Sequence, residues 1–201
     1  MPEEMEPLDC TLEDFFKVKG YSSVDGLAEK RPQLTQYFEL RDGGMHLLTV
    51  TGKIAAIPFL DEFVAKEFER FANPATRQFG ENLFTIVGAP GTYRVGHLER
   101  YCGTTLTLPV ATLVAKSGGL VAGAAHTHPI VRGDPRARQI TEDGAEFGPG
   151  DWTVMAGLIA PFYLYTPRRK VQVMEYDGDL VTVRRLGGKA RKWRVAARKR
   201  P

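Results

Sequence analysis

Two cysteines in 201 residues are too few for a disulfide framework, so the sequence excludes the small, disulfide-stapled secreted folds and favours a reducing compartment. Cys102 reads as a buried structural cysteine. No run of about 18 apolar residues occurs, which excludes a membrane-spanning helix. The start, "MPEEMEPLDC", is acidic and lacks the basic-then-apolar order of a secretory leader. A cytoplasmic protein is expected, although a chain carried by a larger secretion machine would also lack a leader. Charge of one sign is scarce: 27 basic residues against 24 acidic leave a net charge of +3. Much of that surplus lies in "RRLGGKARKWRVAARKRP", so a nucleic-acid surface spread over the body is not expected. The basic tail, with Trp193, reads first as a solvated tail or linker and second as a contact for nucleic acid or acidic lipid.

What remains is an ordinary globular composition, 43% hydrophobic and 25% charged, on a chain long enough for a sizeable core. "YFELRDGGMHLLTVTG" alternates around Asp42-Gly43-Gly44 and predicts a hairpin. Upstream, "LEDFFKV" predicts a short helix and "SSVDGLAEK" a helical turn capped by Ser23 or Asp25. Residues 1–57 are expected to be an accessory segment with a possible role in binding a protein partner. "PFLDEFVAKEFERFAN" is the clearest helix, with Phe59, Phe63, Val64, Phe68 and Phe71 forming an apolar stripe toward the core. "NLFTIVG", "YRVGHLERY" and "TLTLPVATLVAK" predict strands, as does the nearly all-apolar "GGLVAGAAHTHP". After a charged, glycine- and proline-rich loop from 130 to 150, "DWTVMAGLIA" predicts a helix capped by Asp151. "FYLYTP" and "KVQVMEYDGDLVTVRRL" add three strands, the last two joined at Asp177-Gly178. The fold class expected is α+β: a mixed α/β sheet flanked by helices.

Two of the four histidines, His126 and His128, stand one residue apart at the end of that apolar strand. Residues i and i+2 of a strand project to the same side, so both imidazoles can meet one metal ion, and zinc favours nitrogen ligands of this kind. An open metal site needs a third protein ligand, and Asp151 at the start of the next helix is the natural candidate. Asp134, Glu142 and Asp143 in the intervening loop are competitors that read more simply as solvated loop carboxylates. His46 and His97, on other strands, read as packing or surface residues.

The run "HTHP" followed by "FGPGDW" resembles the metal-binding signature of the JAB/MPN (JAMM) metalloprotease superfamily: His-x-His-Pro, then Ser-x-x-Asp at a helix start. It is most similar to the JAB-like domains associated with bacterial RHS and other polymorphic toxins, and "FYLYTPRRKVQVMEYDG" fits their later strand. The resemblance covers residues 58–186, leaving 1–57 as the accessory segment and 187–201 as the basic tail. It implies a JAB/MPN-like (cytidine deaminase-like) sheet, zinc held by His126, His128 and Asp151, and hydrolysis of a peptide or isopeptide bond by a toxin or effector domain. Two positions depart from the pattern. The family serine that helps hold the oxyanion falls at Gly148, leaving that role to a backbone N–H or to Thr127; losing such a donor costs about 10²–10³ in rate. The family general-base glutamate aligns with Gln78 in one register of "TRQFGENLFTIVG" and with Glu81 in another, three residues on. Such a shift inverts the strand face unless a bulge at Gly80 intervenes. Glu69, on the preceding helix, is a more distant choice. Gln78 would leave a degenerate protein-binding module; Glu81 would leave an enzyme. A metal-binding structural domain is the third reading.

Overall fold

The computed structural model describes residues 5–6, 9–11, 38–41, 44–73, 80–102, 110–130, 147, 149–187 and 190–192. The stretches read above as a helix at 12–18 and a helical turn at 22–30 lie outside them. So do Gln78, Asp134, Glu142, Asp143, Gly148 and Trp193.

The described elements are β1 (Phe38–Arg41), β2 (Gly44–Leu47), α1 (Pro58–Phe71), β3 (Gly80–Val87), β4 (Arg94–Cys102), α2 (Val110–Lys116), β5 (Val121–Thr127), α3 (Pro149–Leu158), β6 (Phe162–Tyr165), β7 (Val171–Tyr176), β8 (Val181–Arg185) and β9 (Ala190–Lys192). β1 and β2 pair as the expected hairpin. The other strands form one sheet in the order β4-β3-β5-β6-β7-β8-β9. It is mixed: β5 and β6 run parallel, and the remaining neighbours are antiparallel. A parallel pair needs a long crossover, and residues 128–161, which include α3, supply it. The architecture is therefore α+β, with a helix-flanked mixed sheet.

Strand alternation sorts the core into two layers. Phe84, Ile86, Ala125, Tyr163, Tyr165 and Val173 pack with Leu60, Val64 and Phe71 of α1. Leu83, Ala124, Phe162, Leu164 and Met174 pack on the opposite face with Trp152 and Met155 of α3 and Leu113 of α2. The α1 stripe is shorter than its sequence suggests. Phe71 and Val64 are fully buried, but Phe59 is 57% exposed, because it lies on the outward side of the first turn of α1; Leu60, one residue on, is buried instead. An ion-pair network anchors α1 to the sheet. Arg184 of β8 bonds Asp61 of α1 at 2.8 Å and Glu175 of β7 at 3.2 Å, and the Tyr163 hydroxyl donates to Asp61.

Three further expectations are corrected. "VATLVAK" is the helix α2, not the end of a strand. Its Leu113 and Val110, three residues apart, turn to one side, and Val110 packs on Gly157 of α3, where a Cβ would come within 3.0 Å of it. Cys102 is not a free thiol: it is bonded to Cys10, with a Cα–Cα distance of 5.4 Å. Their sequence separation of 92 left no local sign of the pairing, and the bond removes the argument for a reducing compartment. Residues 190–192, within the stretch read as a tail, form β9 on the edge of β8. Leu47, Val50 and Ile54, from within residues 1–57, join the core beside α3, and Ile54 pairs with Tyr176 through two 2.8 Å backbone bonds.

Two positions yield stability predictions. β4 carries one extra residue opposite Thr85, where the register shifts between Phe84 and Ile86. Gly96 lies in this bulge, and a Cβ there would stand 2.7 Å from the Ser117 carbonyl and 2.8 Å from Val87. Gly96→Ala is expected to lower stability by about 2 kcal/mol, the usual cost of overpacking, read as a lower denaturant midpoint. An unchanged midpoint would contradict that packing. Ile159, just past α3, has φ +53 although it is β-branched and 61% exposed. Ile159→Gly is expected to raise stability by about 1 kcal/mol, because glycine takes this left-handed helix end without strain and little buried area is lost. Thermal unfolding should show a Tm higher by a few degrees, and a fall would contradict the strain.

Candidate metal centre

The site is built at the carboxyl end of β5. His126 pairs with Leu83 of β3 on one side and Leu164 of β6 on the other, so it sits mid-sheet and is 2% exposed. Its ring lies flat on Phe162, with centroids 4.6 Å apart and planes 4° from parallel, and Phe147 closes a second side at 6.1 Å. His126 Nδ1 lies 3.0 Å from the Tyr163 carbonyl oxygen. A carbonyl can only accept, so Nδ1 carries a proton, which leaves Nε2 as the ring position that can offer a lone pair to a metal ion. His128 follows two residues later on the same face, with its backbone N–H donating to Tyr165 O.

Asp151 comes to this face from α3. The helix starts at Pro149, so Asp151 occupies the first turn and does not serve as the cap the sequence suggested. The reason is the proline, a residue suited to the first helical position. The carboxylate is instead directed at the histidines: Oδ1 is 3.1 Å from His126 Nε2 and Oδ2 is 3.7 Å from His128 Nε2. The two Nε2 atoms are 3.1 Å apart. Burial alone would push the Asp151 carboxyl upward, but the charges and hydrogen bonds of His126 and His128 outweigh it and hold the group well below the usual carboxylate range. The helix N-terminus acts in the same direction.

His126, His128 and Asp151 thus form a group able to hold a metal ion, and among the described residues it is the only such group. The donor chemistry fits. Two imidazole nitrogens and a carboxylate meet at close range, an arrangement that is repulsive unless a proton or a cation is shared among them. A metal ion would be such a cation.

Glu81 joins the same face. It lies two residues before Leu83, the partner of His126, so continuing the antiparallel register sets it opposite His128. It is 5% exposed and is not the solvated strand-start carboxylate that a lone glutamate at this position would suggest. The Tyr101 hydroxyl donates to Glu81 Oε2 at 2.6 Å. Burial raises the Glu81 carboxyl above its ordinary range; His128, His126 and the Tyr101 hydrogen bond offset part of that rise, and Asp151 adds to it. The mutual influence of Glu81, both histidines and Asp151 is that of one electrostatic cluster.

Other candidates lie elsewhere. Thr127 points to the opposite face, where its hydroxyl accepts the Asn82 N–H at 3.0 Å, so it offers no donor on the side of the histidines. Glu69 is exposed on α1 and pairs with Arg169 at 2.8 Å. His46 lies 3.4 Å from Asp179, and His97 lies 2.8 Å from Glu99. Sequence reasoning missed Tyr101, Phe162 and Tyr163. The first was legible only through the β3–β4 register, the others only through the parallel pairing of β5 with β6.

No family model, no curated protein and no solved structure matches the chain.

Proposed function

We propose that the chain is a zinc-dependent hydrolase of the JAB/MPN type that cleaves a peptide or isopeptide bond. The observation that supports this most is the arrival, on one sheet face, of two imidazoles and a carboxylate from separate elements together with a buried glutamate. Zinc–nitrogen and zinc–oxygen bonds of about 2.0–2.2 Å set tetrahedral ligand atoms roughly 3.3–3.6 Å apart. The separations of 3.1, 3.1 and 3.7 Å among the three side chains lie close to that spacing. A purely structural zinc site uses four protein ligands, whereas three leave a position for substrate or water.

His126, His128 and Asp151 would hold the ion. When bound, zinc acts as a Lewis acid that polarises a carbonyl and brings the pKa of its water to about 7. Glu81 takes a proton from the attacking water at its carboxylate and returns it to the leaving amine. Phe162 and Phe147 wall one side of His126 with apolar surface, which excludes water and strengthens charge interactions there.

A second reading, a catalytically degenerate module that binds a protein partner, draws on Thr127. Gly148 stands at the family serine position and has no hydroxyl, and the Thr127 hydroxyl is turned away, so neither supplies an oxyanion donor. The two readings part on activity. The zinc-loaded chain, incubated with a panel of linear peptides and lysine-branched isopeptides, is expected to cleave at least one. Cleavage should stop on chelation and return with zinc. Stoichiometric zinc with no cleavage anywhere in the panel would leave the binding module, and absence of bound zinc would sink the hydrolase.

A further inference from the structure

We infer that Tyr101 is the positioning residue of this site: its hydroxyl fixes the Glu81 carboxylate in the orientation from which Glu81 exchanges protons. The inference rests on the reading of Glu81 as general base.

Tyr101 and Glu81 are direct partners across the antiparallel β3–β4 pair, so their side chains leave the sheet together on the face that carries His126 and His128. The ring of Tyr101 packs against the core layer beneath α3, which fixes where its hydroxyl ends. The 2.6 Å contact to Oε2 has the length of a charge-assisted bond. It engages one carboxylate oxygen and leaves the other for proton transfer. A glutamate has three side-chain torsions, and without an anchor its carboxylate samples rotamers that carry it away from a reacting water. Holding a base within reach is worth a substantial part of a catalytic barrier. The backbone beneath is held as well, because Cys102, the next residue, is tied to Cys10. Burial, and then the neighbouring Glu81, raise the Tyr101 hydroxyl well above its usual range, so it remains a donor. Tyr101 acts through Glu81.

Tyr101→Phe removes the hydroxyl and keeps the ring; Tyr101→Met is the second variant, should the first not fold. In a crystal structure of the variant, the Glu81 carboxylate is expected to leave its wild-type position. Zinc content should stay at the wild-type level. With 4-nitrophenyl acetate as probe, taking only the zinc-dependent turnover, kcat should fall about 10–100-fold at unchanged KM, the worth of one hydrogen bond to a charged group. A carboxylate that keeps its place, or an unchanged kcat, would overturn the inference. So would a loss of zinc in step with kcat, which is the mark of a merely structural role. Glu81→Gln, run in parallel, separates the two layers. If it turns over like wild type, the general-base reading fails, while the crystallographic readout, which needs no turnover, still decides whether Tyr101 orients Glu81.

Discussion

Glu81→Gln is expected to lower kcat of the zinc-loaded chain by about 10²–10⁴-fold, the range that a positioned general base contributes, with zinc content and folding unchanged. The substitution is nearly isosteric. The amide oxygen of glutamine can still accept from the Tyr101 hydroxyl that now binds Oε2 at 2.6 Å, so the side chain keeps its anchor and loses only its ability to take a proton. Glutamine also removes a carboxylate that is buried at 5% exposure, so the variant should be no less stable than the parent. Kinetics with the best peptide or isopeptide of the panel, alongside zinc analysis, check this. A kcat within threefold of wild type would remove Glu81 from the chemistry.

His126→Ala carries the largest expected effect on metal. Loss of an outer partner of a metal ligand typically costs about 10–100-fold in affinity, and loss of a ligand itself must cost more. His126 is also the best-fixed member of the set. Its ring is stacked on Phe162 and bonded to the Tyr163 carbonyl, which fix its Nε2 in place. Competition with a chelator of known affinity should therefore show zinc affinity lower by more than about 100-fold. The variant should also lose roughly 2–4 kcal/mol of stability in the metal-free state, through the cavity left against Phe162 and the lost side-chain hydrogen bond to the Tyr163 carbonyl. Retained affinity would mean that the ion sits elsewhere.

Most elements from residue 58 onward were legible where they carry a local signal: the 3.6-residue period of α1, the apolar run of β5 and the Asp177-Gly178 turn between β7 and β8. So was the shared face of His126 and His128, which follows from strand geometry alone. What failed locally were features set by partners distant in sequence. α2 is helical because Val110 finds Gly157 across the layer. Cys10 finds Cys102 over a separation of 92 residues, and β9 finds β8 as an edge. The ambiguity between Gln78 and Glu81 was likewise a question of register. Gln78 lies outside the described residues, but the pairing of Leu83 with His126 puts Glu81 on the histidine face. The identity of Tyr101 as its partner needed the second register, Glu81 with Tyr101. A sequence read one strand at a time cannot supply either.

The central claim is that one zinc ion is held jointly by His126, His128 and Asp151, and anomalous X-ray scattering from zinc-soaked crystals tests it most directly. Data collected on either side of the zinc absorption edge are predicted to show a single strong peak bonded to both Nε2 atoms and to a carboxylate oxygen of Asp151, at about 2.0–2.2 Å. A peak bound by other side chains, or none with Asp151 still lying against the two imidazoles, would contradict the account.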